Sequence, residues 1–78
     1  MKRLGEPVSV RVQATALGRP VWVDGRRAEA VRESWLVEDR WWTDAPLRRR
    51  YWELVLEGGR CVTVYRDLEA QTWYTQAG

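Results

Sequence analysis

Residues 48–66 read "RRRYWELVLEGGRCVTVYR". Two runs rich in β-branched, aromatic and aliphatic residues flank Gly58-Gly59, which is the pattern of an antiparallel hairpin. We read strands over 48–57 and 60–66 joined by a two-residue turn. That turn sets Glu57 opposite Arg60, Leu56 opposite Cys61, Leu54 opposite Thr63 and Trp52 opposite Tyr65. Side chains alternate along a strand. Trp52, Leu54 and Leu56 therefore share one face, taken as the core. Tyr51, Glu53, Val55, Val62, Val64 and Arg66 fall on the other.

Working outward, residues 8–14, "VSVRVQA", also alternate and predict a half-buried strand. "LGRP" at 17–20 breaks it. "VWV" at 21–23 is followed by Asp24-Gly25, a type I′ hairpin signal that pairs Val23 with Arg26 and Trp22 with Arg27. In residues 28–38, "AEAVRESWLVE", a strand is favoured over 33–38, with 28–32 open between a bent strand and a short helical turn. As a strand, Val31, Trp35 and Val37 align at period two and Glu33 interrupts them. "DLEAQ" at 67–71 is a turn. It leads into a last strand at 72–76, where Trp73 and Tyr74 point to opposite faces. The fold class that follows is all-β: a small antiparallel meander with at most one short helical turn. It curls into an SH3-like or OB-like barrel or a strongly bent sheet.

The 78 residues predict a single domain spanning 1–78. A chain this short buries a modest share of its surface, so its six Trp and three Tyr are efficient core fillers. With 13 basic and 11 acidic residues the formal charge is only +2, which is no nucleic-acid signature by itself. One cysteine, Cys61, excludes an internal disulfide and suits a reducing compartment. The first ten residues lack an apolar signal region. A cytoplasmic location is the resulting expectation.

Catalysis is not expected. The chain has no His, which removes the commonest general base and metal ligand. Cys61 alone builds neither a Cys-His pair nor a zinc site. Glu38, Asp39 and Asp44 match no calcium-loop spacing and read as a solvated turn. No cofactor is expected.

A binding surface remains. "EDRWWTDAP" at 38–46 sets two tryptophans side by side in turn-forming, charged surroundings. A strand would send them to opposite faces. The loop brings Arg40, Trp41 and Trp42 near Arg48, Arg49, Arg50 and Tyr51, which are the candidate binding residues. Rings and guanidinium groups so interleaved suit a protein interface, where Trp, Tyr and Arg dominate. They equally suit single-stranded nucleic acid, where bases stack on rings and arginines hold phosphates. A purely structural role for these side chains is a third option. A homodimer through an edge strand such as 8–14 or 72–76 is also open.

At these residues a resemblance enters. Glu38-Asp39-Arg40-Trp41-Trp42, Arg49-Arg50-Tyr51, Leu54, Leu56, Gly59, Val64-Tyr65-Arg66-Asp67 and Trp73-Tyr74 resemble a small bacterial domain of unknown function that also occurs as short stand-alone proteins. The same stretch is similar to the C-terminal tail of the catalytically inactive, polymerase-like Y-family subunit of bacterial mutagenesis cassettes. The resemblance covers about half the chain. It implies an accessory role in DNA repair or translesion synthesis. The functional expectation is a non-catalytic protein–protein adaptor using the Arg40–Tyr51 region, with single-stranded nucleic-acid binding as the alternative.

Overall fold

The computed structural model describes residues 7–39, 42–44 and 46–76. They form strands β1 (Pro7–Ser9), β2 (Val12–Ala14), β3 (Pro20–Val23), β4 (Arg26–Asp39), β5 (Leu47–Leu56), β6 (Arg60–Asp67) and β7 (Thr72–Gln76). All seven lie in one antiparallel sheet ordered β1-β7-β6-β5-β4-β3-β2. No helix occurs among the described residues. The all-β expectation is met, in the form of a half-barrel.

Closure comes from the first strand. The run 8–14 is not one strand: it breaks at Val10-Arg11, and its two halves pair at opposite edges of the sheet, β1 with β7 and β2 with β3. The Val10 amide donates to the Trp73 carbonyl (3.2 Å), and the Arg11 carbonyl accepts from the Asp24 amide (2.7 Å). Two residues thus span the gap between the sheet edges, so the sheet must curl. Val10 and Val12 pack inward against the core. The same arrangement covers β7 with β1, so 72–76 is not a free edge.

The Asp24-Gly25 turn is as read from sequence. Val23 faces Arg26 and Trp22 faces Arg27. Both turn residues have positive φ, 52° and 83°, as a type I′ turn requires. The β5–β6 hairpin differs from its expectation. Its loop has three residues, Glu57-Gly58-Gly59, closed by Leu56 opposite Arg60. Gly59 donates to the Leu56 carbonyl (3.0 Å), with φ of 88° and 83° at the two glycines. One extra loop residue moves every side chain of β6 to the other face. Leu54 now faces Val62 and Trp52 faces Val64, while Tyr65 faces Tyr51. The physical gain is an aliphatic interior: Val62 and Val64 replace Thr63 and Tyr65 beside Leu54.

The inward face keeps Trp52, Leu54 and Leu56, as expected. Leu54 and Val64 are 0% exposed and, with Val23 and Leu56, form the centre of the core. Each such side chain stabilises the fold by about 1.5–3 kcal/mol relative to exposure.

β4 settles the ambiguous segment 28–32 as strand. Its register against β5 slips between Ala28 and Ala30 and again between Val31 and Glu33. Glu29 and Arg32 are the extra residues of two bulges. The second bulge also corrects the alignment of Val31, Trp35 and Val37. Val31 faces Leu54 on the inner face, whereas Trp35 faces Tyr51 and Val37 faces Arg49 on the outer one. Glu33 then stands outside, opposite Glu53, and no longer intrudes.

Candidate binding groove

Strand alternation divides the expected arginine patch. Arg48 lies between two carboxylates, Glu38 and Glu69, each at 3.3 Å. Arg49 points outward. Its Nη1 donates to the Tyr51 hydroxyl (3.4 Å), and its guanidinium lies 4.6 Å from the centre of the Tyr65 ring. Arg50 points inward, 5.5 Å from the Trp52 ring. Tyr51 belongs to the outer face with Arg49. Arg40 and Trp41 lie outside the described residues. Trp42 is 65% exposed in the β4–β5 connection. The candidates are therefore not one surface: Arg49 and Tyr51 are separated by the sheet from Arg50.

The outer face carries a ladder of four rings, one from each of β4, β5, β6 and β7. Trp35 stacks on Tyr51 (5.3 Å between ring centres, 2° between planes), Tyr51 meets Tyr65 (5.0 Å) and Tyr65 stacks on Tyr74 (5.3 Å). Tyr65, in the middle, is 2% exposed. Burial pushes its phenol above the ordinary value of 10.0, although the Arg49 charge pulls the other way. The hydrogen bond to Tyr51 is the main cause that raises Arg49 above its own ordinary value.

On the inner face a cleft of about 430 Å³ is lined by Leu36 of β4, Arg50 and Trp52 of β5, Arg66 of β6, Trp73 of β7, Leu68, and Leu17-Gly18 of the β2–β3 loop. Arg66 lies 5.9 Å from the Trp73 ring. It stands directly opposite Arg50 in the register. Like charges placed so are destabilising, and among the described residues no carboxylate pairs with either arginine. Three polar atoms on this face are buried without a partner: Arg66 Nε, Trp52 Nε1 and Ser34 Oγ. Ser34 and Trp52 are cross-strand neighbours. Unmet donors beside two arginines on aromatic rings are chemically suited to an anionic group with an apolar body.

Sequence reading found Arg50 but not Arg66, Trp52, Trp73 or Leu36 as its companions. The loop length decides this. A two-residue turn would have set Arg50 opposite Asp67 and left it looking neutralised; the three-residue loop sets it opposite Arg66. The positive φ angles at both Gly58 and Gly59 do not separate these cases. The preference for Val62 and Val64 in the core was the available signal.

A second cleft of about 490 Å³ lies between the β2–β3 hairpin and Trp73, with Arg11 and Asp24 in its wall. Charge is balanced there, so it lacks the groove's electrostatic demand. Among the described residues no group of three Asp, Glu or Cys side chains could hold a metal ion. Among the described residues no helix is long and apolar enough to cross a membrane. No family model, curated protein or solved structure matches the chain.

Proposed function

We propose that the protein is a non-catalytic binding module whose inner groove takes an acidic, partly apolar segment of a protein partner. The observation that carries this reading is the Arg50–Arg66 pair: two arginines opposite each other, each over a tryptophan, with neither ion-paired to a carboxylate among the described residues. A carboxylate entering the groove would relieve their repulsion. Leu36, 45% exposed at the rim, offers apolar contact beside them. Charge-assisted hydrogen bonds of this kind are among the stronger ones, and Trp and Arg are the residue types that dominate protein hot spots.

Single-stranded nucleic acid is the second reading, because arginine-capped rings also suit phosphates and bases. It is less favoured here. Arg27, Arg32 and Arg48 are each held by carboxylates, and tracking a phosphate backbone needs a longer run of unpaired cations. The role in DNA repair or translesion synthesis, and the cytoplasmic setting, belong to the same proposal. The first rests on the sequence resemblance alone, the second on the lone cysteine.

Peptide display against the full chain tests the reading. Enriched peptides should carry Asp or Glu next to leucine or an aromatic residue, and Arg50→Glu with Arg66→Glu should abolish their binding. Oligothymidine serves as the comparison. If it binds more tightly than the selected peptides and weakens steeply with salt, as counterion release demands, the nucleic-acid reading replaces this one.

A further inference from the structure

β4 is 14 residues long, yet β3 covers only Arg26 and Arg27 on its outer side. Among the described residues no strand pairs with that side from Ala28 to Asp39. An exposed edge is a template for another strand unless something blunts it. The first part is blunted by the bulges at Glu29 and Arg32. From Glu33 to Asp39 the strand is regular. Ser34-Trp35-Leu36-Val37 at its centre has no charge, no proline and high β propensity. The outer ring ladder ends at this edge: Trp35 stacks on Tyr51, and no described strand lies beyond it.

We propose that this edge joins a second copy of the chain, antiparallel along Glu33–Val37, with the two-fold axis at Trp35. An axis normal to the sheet keeps each face on its own side, so only residues of the same facing can meet. Centred on Trp35, the two strands set Trp35 against the second copy's Trp35, Glu33 against Val37 and Ser34 against Leu36. Centred on Leu36 instead, Glu33 would meet Asp39, a like-charge pair that disfavours the register. Centred on Ser34, the bulged Arg32 would have to enter the ladder. Neighbouring strands lie about 4.8 Å apart, and the rings already repeat at 5.0–5.3 Å across the sheet. The four-ring ladder thus continues as eight. This inference rests on the β4 edge and not on the groove arginines, so the two readings fail separately.

Sedimentation equilibrium of the full chain over a wide concentration range tests it, with circular dichroism to confirm folding. The wild type should form a reversible dimer. Val37→Glu places a carboxylate opposite Glu33 twice per dimer and should weaken association about tenfold. Adding Glu33→Lys to Val37→Glu should restore it. Val37→Lys alone should tighten it, and this variant decides the matter if Val37→Glu does not fold. A monomer at every concentration overturns the proposal. So does a dimer that Val37→Lys fails to tighten.

Discussion

Arg49 and Arg50 are neighbours in sequence and stand on opposite sides of the sheet, Arg49 at 4.6 Å from the Tyr65 ring and Arg50 at 5.5 Å from the Trp52 ring. The same contact type has two different settings. Arg49 also holds the Tyr51 hydroxyl and caps the row of outer rings at Tyr65. Arg50 faces another arginine across an open groove.

The two arginines should therefore separate by experiment. Arg49→Met should lower stability by about 1 kcal/mol, the scale of a cation–ring contact, and leave peptide binding intact. Arg50→Met should hold or slightly raise stability, since it removes a like-charge pair, and lose most of the binding. Urea unfolding and a peptide titration on both variants give the comparison. Equal loss of binding in both would refute the assignment of the groove to the inner face.

How much of this was legible depends on local chemistry. Asp24-Gly25 could be read because positive φ at two adjacent positions nearly dictates the residues. Its register came out correctly. The break at Val10-Arg11 was not legible: an unbroken alternation does not tell whether its halves serve one edge or two. The bulges at Glu29 and Arg32 showed only as a pattern out of step. A two-residue loop puts Tyr65 in the core with Trp52, and the same register hides the Arg50–Arg66 pair that the three-residue loop creates. The paired Trp41-Trp42 motif drew attention to the β4–β5 connection. The groove itself is built from residues spread over four strands and two connections, and no contiguous stretch announces it.

The core should be intolerant at its centre. Leu54 is 0% exposed and sits between Val31 of β4 and Val62 of β6. Leu54→Ala should cost about 2–5 kcal/mol, a large part of the about 5–15 kcal/mol available to a small domain. Thermal unfolding should shift down sharply or vanish. Val8→Ala, at an exposed site of β1, should stay within about 0.5 kcal/mol of wild type.

Backbone strain makes an opposite prediction at the last turn. Gln71 has φ of 58°, with its amide donating to the Asp67 carbonyl at 2.7 Å. A side chain in this region costs about 1–2 kcal/mol relative to the right-handed form. Gln71→Gly should thus stabilise the fold by roughly 0.5–1 kcal/mol after the added freedom of the unfolded glycine is offset. Gly58→Ala, at φ 88° where a new Cβ would meet nothing within 4 Å, should destabilise it by about 1 kcal/mol through the backbone alone. Urea midpoints of both variants check the pair of signs.

The pH dependence follows from Tyr65. Burial lifts its phenol above 10.0, the value it regains on unfolding. Below pH 10 the phenol is neutral in both states and this contribution to stability is constant. As pH rises past 10 the unfolded chain releases the proton while the folded chain holds it, so the unfolded state gains and stability falls until the folded phenol also ionises. The chain has no His, so no imidazole contributes a transition near neutrality. Unfolding free energy should be flat from neutral pH to about pH 9 and decline beyond pH 10. Tyr65→Phe keeps the ring between Tyr51 and Tyr74 and removes the ionisation, so its decline should be visibly shallower. A variant that loses stability above pH 10 as steeply as wild type would show that the alkaline limit lies with another group.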